Sequence, residues 1–278
     1  MEISAISWTK STFNPWMGCQ RVSPACEHCY AEALVTGRMG YSGDRALWGP
    51  RAERRVTSVE NWKKPRKWQR EAELTGEFWP VFCASLADVF ENRRDLDSPR
   101  RDLFQLIEET PHLTWLLLTK RSEHMTTLAP MTWRDRWPTN VWAGTTIEDC
   151  RRAAERLPHL LRVPAVVRFV SIEPQLESLA DVNLTGIQWV ITGGESGPKA
   201  RHYDPVWAAE TITGARHVGA APFVKQMGQL WARANHAKHI HGADPREWAA
   251  PLRVQEFPDG LMVGRRPSAA RIEARCIA

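Results

Sequence analysis

The chain has 278 residues, 43% of them hydrophobic and 25% charged, which excludes disorder as the main state and supplies one large core or two small ones. A formal net charge of +5 and a pI near 9.0 permit an anionic partner through the long-range field without requiring one. No run of about eighteen apolar residues occurs, and Glu2, Ser4, Ser7 and Lys10 break the basic-then-apolar pattern of a signal peptide, so the expectation is a cytoplasmic protein with no membrane partner.

Seven short apolar runs end abruptly at polar residues and predict strands: Thr12 to Trp16, Val81 to Ser85, Thr114 to Thr119, Val141 to Thr145, Val167 to Ser171, Gln188 to Thr192 and Pro222 to Lys225. Trp115 to Leu118 and Val166 to Val170 are nearly continuous in apolar character, as expected of strands covered on both faces. Segments with helical spacing lie between the runs, including Pro99 to Glu109 and Asp149 to Leu161. This alternation predicts an α/β fold, a partial or complete (β/α) TIM-like barrel over residues 1–230. In such a fold ligands gather at the C-terminal strand ends, where the sequence places Asp88, Lys120 and Arg121, Thr145, Thr146 and Glu148, Glu173, Glu195, and Lys225 with Gln226. Together these groups suggest a polar ligand, although each alone is also what a wet loop carries.

Residues 37–77, rich in Gly, Pro and Arg, break the rhythm and predict an excursion over one mouth of the barrel. Between Arg51 and Arg70 eight basic residues face only Glu53 and Glu60, with Trp62 and Trp68 interleaved. Such a pattern can track phosphates and stack bases; it is equally a solvated face with its tryptophans turned inward, which is the simpler reading. Residues 231–278 read as a C-terminal extension, in which His236, His239 and His241 are too loosely spaced to suggest a metal site.

Six cysteines would allow three disulfides, but Cys83, Cys150 and Cys276 stand singly while Cys19, Cys26 and Cys29 fall within one loop. That asymmetry argues against a disulfide framework. The loop directly follows a strand and directly precedes the helix-like Tyr30 to Met39, and Gly18 and Pro24 allow it to bend. Thiolates suit soft metals. A structural zinc site is normally closed by four ligands and would have to recruit His28 or a distant residue, whereas a four-iron cluster on three cysteines keeps one iron open. Cys83, inside an apolar run, reads as a small core residue.

Trp8 to Cys19 and Val22 to Glu32 resemble the opening of the phage Gp37/Gp68 family, a group within or near the radical S-adenosylmethionine (SAM) superfamily. The similarity continues through Ser85 to Phe90, Leu118 to Arg121, Val141 to Glu148, Ser171 to Pro174, Gly193 to Gly197 and Lys225 to Gly228, and covers roughly residues 7 to 230. The resemblance implies a barrel of the radical SAM type in which Cys19, Cys26 and Cys29 hold a [4Fe-4S] cluster, SAM occupies the open iron, and a reductant such as flavodoxin or ferredoxin supplies the electron. It implies a radical SAM enzyme acting on an unidentified substrate.

Three departures qualify the likeness. The cysteines are spaced by six residues then two, where the superfamily motif has three then two, and His28 replaces the aromatic that usually precedes the last cysteine. Moreover, the Gly-Gly-Glu stretch that usually receives the SAM amino group after the second strand here follows the sixth. On physical grounds Gly193 and Gly194 let backbone approach a ligand, and Glu195, with Ser196 beside it, can meet an ammonium or a ribose. Ser85 and Asp88 compete for the amino contact. Lys120 is a compact charge for a carboxylate or phosphate, and Glu173 and Lys225 can hold the substrate or move protons, or form an ion pair across the mouth. A reading from another class is a zinc-stabilised module that binds nucleic acid through the basic segment; a radical SAM enzyme that modifies nucleic acid lies between the two.

Overall fold

All seven apolar runs enter one parallel sheet, in chain order, in the computed structural model, which describes residues 4–259. The strands are β1 (Ser11–Thr12), β4 (Pro80–Cys83), β5 (Thr114–Thr119), β6 (Val141–Thr146), β7 (Val167–Ile172), β8 (Trp189–Gly193) and β9 (Ala221–Gln226). Two further strands, β2 (Trp16–Met17) and β3 (Arg55–Val56), form a small antiparallel pair. Thus the first run, expected as a single strand, is divided: its start pairs with β4 and its end with the excursion.

The sheet curls into a half-barrel with β1 and β9 at its edges. Curling lets Trp8, just before β1, meet Trp189 of β8 at 6.2 Å between ring centroids. Side chains alternate between two cores, because successive residues of a strand point to opposite faces. Leu116, Trp142, Phe169, Trp189 and Phe223 fill the inside. Trp115, Leu117, Ala143, Val170 and Val190 pack outside, in the same core as residues from the helices. A β-carbon on Gly144 of β6 would lie 2.2 Å from Phe169 Cζ, so the ring of Phe169 takes the space that a side chain would need.

The helical spacings become α3 (Asp97–Glu108) and α5 (Cys150–Leu161). In α5 the side chain of Asp149 accepts the amide of Arg152 at 2.6 Å, satisfying a free donor of the first turn, and Ala153, Leu157 and Leu160 are buried. The excursion is shorter than the sequence suggests, since α2 (Val59–Thr75) takes up its second half and packs Pro65, Trp68 and Ala72 on the sheet. Trp62 leans on the same core with its ring edge-on to Phe13. Both tryptophans of the basic segment therefore face inward. Tyr30 to Met39 divides into a short α1 (Tyr30–Ala33) and a π-helical turn at Leu34–Arg38.

Helices α4 (Met125–Leu128), α6 (Pro205–His217) and α7 (Gln229–Ala234) are the remaining ones. Residues 231–257 do not stand apart. Val224 donates to Val254 O at 2.8 Å and Glu256 to Pro222 O at 3.0 Å, while Phe257 stacks on Trp189 inside the half-barrel. The rest of the expected extension, with Cys276, lies outside the described residues. Among the described residues no helix is long and apolar enough to cross a membrane.

Gly144→Ala is expected to destabilise the protein by about 1–3 kcal/mol, the usual cost of overpacking a filled core. The shift in urea midpoint at unchanged m-value measures it.

Candidate functional site

The loop that carries the three cysteines is held by side chains from the C-terminal ends of three strands. Its entrance is set by Gly18, whose φ of 109° suits glycine and where a β-carbon would lie 2.5 Å from Leu47 O. Cys19 then exchanges backbone hydrogen bonds with the excursion, donating to Leu47 O at 3.2 Å and accepting from Gly49 at 3.0 Å. Beyond β5, Arg121 donates to Gln20 O at 2.8 Å, to Asp88 Oδ2 at 2.8 Å, and to Cys19 Sγ at 3.7 Å. Beyond β6, Glu148 Oε1 accepts the amide of Ala25 at 3.3 Å, and its Oε2 accepts from Arg156 at 2.8 Å. Beyond β8, Glu195 meets His28 Nδ1 at 3.1 Å and is gripped by Arg201 at 2.6 Å.

These partners set the ionisation of the site. Burial opposes charge on Asp88, Glu148 and Glu195, yet Arg121, Arg156 and Arg201 with nearby hydrogen-bond donors hold all three carboxyls below their ordinary values. Burial, with Asp88 and Glu91 adding to it, pushes the Cys19 thiol up to about 12. Burial also raises Cys29, against the opposing charge of Lys120.

Cys19, Cys26 and Cys29 line one cavity of about 410 Å³. Ser85, Asp88, Lys120, Glu173, Ser196 and Lys225 line the same cavity. The structure thus brings together nine of the residues singled out from the sequence. Lys225 Nζ lies 3.0 Å from Glu173 Oε1, the ion pair considered above, but off the alignment of a hydrogen bond, so Oε1 keeps unused acceptor capacity. Ser171 donates to Glu173 Oε2 at 3.3 Å.

Gly193, Gly194 and Glu195 are placed differently. A β-carbon on Gly193 would come within 3.0 Å of Glu173 Oε1, and one on Gly194 within 2.4 Å of Met227 O. The close approach that these glycines allow is to the chain itself. Glu195 is engaged as described, tying the cysteine loop to Arg201. Asp88 accepts from Thr119, Lys120, Arg121 and Phe90, so its oxygens are committed. Ser85 shares its hydroxyl with Asn14 at 3.0 Å.

Sequence reasoning missed His241, which lines the cavity and has a buried Nδ1 without a hydrogen-bond partner. Burial, with His239 and Lys225 nearby, holds its imidazole below the ordinary value. Read as a loosely spaced surface histidine, it carried no signal, because only the return of the chain after α7 brings it to the mouth. Arg121 and Glu148 were noticed as residues following strands, but their grip on the cysteine loop is a long-range pairing. Cys83 is buried in β4 and Cys150 is exposed at the start of α5. Among the described residues no three His, Cys, Asp or Glu side chains converge on a position for a single metal ion.

A family model described as "Protein of unknown function (DUF5131)" matches residues 3–257, a span that takes in every strand, the cysteine loop and the cavity. The chain belongs to the DUF5131 family. No curated protein matches it.

Two measurements check the ionic frame of this DUF5131 protein. Arg121→Met leaves Asp88 buried without its cation and is expected to cost about 3–5 kcal/mol, read by urea denaturation. The depressed carboxyls contribute stability that is fully present above their ordinary values, 3.8 for Asp88 and 4.5 for Glu148 and Glu195, and is lost as pH falls through the folded values. The urea midpoint is therefore expected to drop steadily as pH is lowered from about 5 to 3.

Proposed function

We propose that this DUF5131 protein is a radical SAM enzyme whose [4Fe-4S] cluster is held by Cys19, Cys26 and Cys29. The observation that carries the reading is that these three thiols, and no other cysteine of the described chain, line the cavity at the C-terminal end of a curled parallel sheet. The donor set fits the group. It consists of soft sulfur ligands, and a four-iron cluster spreads its thiolates further apart than a single ion does. When bound, the cluster and SAM supply reductive cleavage to methionine and a 5′-deoxyadenosyl radical, which takes a hydrogen atom from the substrate.

The chain's own residues bind, orient and protect. Lys120 stands beside Cys29 as a compact cation for the carboxylate of SAM or an anionic substrate group. Glu173, Lys225 and His241 offer an acceptor, a donor and an imidazole on one wall, where they hold a polar substrate and relay protons. Trp8, Phe82 and Leu118 form an apolar wall that keeps water from a reactive intermediate. The reading places the protein with the phage Gp37/Gp68 proteins it resembles. It also implies a cytoplasmic setting in which a flavodoxin or ferredoxin delivers the electron. The rival zinc module would stack bases on Trp62 and Trp68, and both rings are packed against the core.

The test is anaerobic reconstitution with iron and sulfide, then electron paramagnetic resonance of the dithionite-reduced protein with and without SAM. A [4Fe-4S] signal that shifts on adding SAM is expected. Cys26→Ala is expected to lose iron with its far-ultraviolet circular dichroism intact, whereas Cys83→Ala retains iron. Unchanged iron in Cys26→Ala, or a colourless zinc-loaded protein, would sink the assignment.

A further inference from the structure

A second hollow, of about 950 Å³, opens beside the cysteine cavity and shares Ala5, Ile6, Tyr30 and Ser85 with it. The two adjoin along these residues as a groove whose outer part borders the excursion and whose inner part is lined by the three thiols. Its outer part combines flat rings with positive charge. The Arg55 guanidinium lies 5.0 Å from the ring centroid of Tyr41, and Tyr30 is 49% exposed where the two hollows join. Arg55 is exposed, and among the described residues no carboxylate forms an ion pair with it. The one acidic residue on this wall, Glu60, is already paired with Lys63 at 2.7 Å.

We propose that this groove is a track for single-stranded nucleic acid, which lays its phosphates along Arg55 and Lys64, both of which line it, and stacks a base on the Tyr41–Arg55 pair. The chemistry that selects this partner is the conjunction of an exposed cation on a half-buried tyrosine with a second, exposed tyrosine, a combination of charge and rings that holds single strands without reading sequence. An acidic peptide satisfies the charge but makes no use of the rings. Trp62 packs edge-on to Phe13, and Trp68, although it lines the hollow, is only 6% exposed, so the tyrosines take the part of the platform. Tyr30, at the junction, is placed to pass one nucleotide into the cysteine cavity. This last step rests on the radical SAM reading; binding along the track does not.

Fluorescence anisotropy of the full chain with a labelled 20-nucleotide single strand, as DNA and as RNA, tests the proposal. Binding is expected at 50 mM salt and is expected to weaken roughly tenfold by 200 mM, as for about three phosphate contacts. Tyr41→Ala with Arg55→Ala is expected to weaken binding tenfold or more. Lys67→Ala with Arg70→Ala, exposed on α2 away from the groove wall, is expected to change it less than threefold. Absence of binding, equal loss in both double variants, or equal competition by poly-glutamate would overturn the track. Iron uptake by the unaltered chain separates the two readings: a protein that binds strands but never takes up a cluster retains the track and loses the radical chemistry.

Discussion

Arg121 is the residue on which the arrangement of the site depends. Its guanidinium is buried and divides its donors between Asp88, the carbonyl of Gln20 and the sulfur of Cys19, with Glu91 3.9 Å away. Glu91 in turn takes a two-pronged pair from Arg54, which also donates to the carbonyls of Leu47 and Gly49. Four charges thus sit out of water in alternating sign. Burying such groups costs several kcal/mol each unless each is paired in good geometry, so few arrangements of the excursion, the cysteine loop and the ends of β4 and β5 satisfy them all. The network contributes less to net stability than to fixing which loop lies on which strand end.

A loop fixed in this way bears on what its thiols can do. Cys19 faces two carboxylates and one guanidinium in a buried place, and as a free thiol it keeps its proton near neutral pH. A metal that displaces the proton supplies the missing positive charge, so ligand deprotonation and metal uptake are coupled. Glu148 and Glu195 hold the second half of the loop in the same manner, through Ala25 and His28, and each is neutralised by its own arginine. The loop therefore enters the site with backbone groups of Cys19, Gln20 and Ala25 bound to the scaffold, and its sulfurs line the cavity.

The frame of the fold was legible in the sequence because strand periodicity is local. Runs such as Thr114 to Thr119 carry their own evidence of double-sided burial, and alternation with α3 and α5 implies parallel order. Two elements were obscured for physical reasons. Helix α2 buries only Pro65, Trp68 and Ala72 among many charges, so its apolar stripe is one residue wide and its interior proline argues against a helix. Residues 254–257 pair with β9 only through the sheet edge, which no local pattern announces. At the site, nine of the residues singled out from the sequence line one cavity, three in the cysteine loop and six at or just after strand ends. The roles of Gly194 and Glu195 were not legible, because a glycine that admits a ligand and one that admits another backbone look alike in sequence. The same holds for a carboxylate that binds a cofactor and one that binds an arginine.

The half-barrel form connects these observations to the groove. A closed eight-stranded barrel fills its interior with side chains and admits ligands only at its mouth. Here β1 is an edge, and the chain after it leaves the sheet to pair Trp16 with Val56 instead of continuing along β4. Beside that departure lies the second hollow, with Tyr30 and Arg55 both in its lining. A small substrate has no need of a side entrance, since the mouth suffices. A polymer does, because its flanking units must remain outside while one unit reaches the thiols. The open edge and the excursion that borders it are thus consistent with a substrate longer than the cavity.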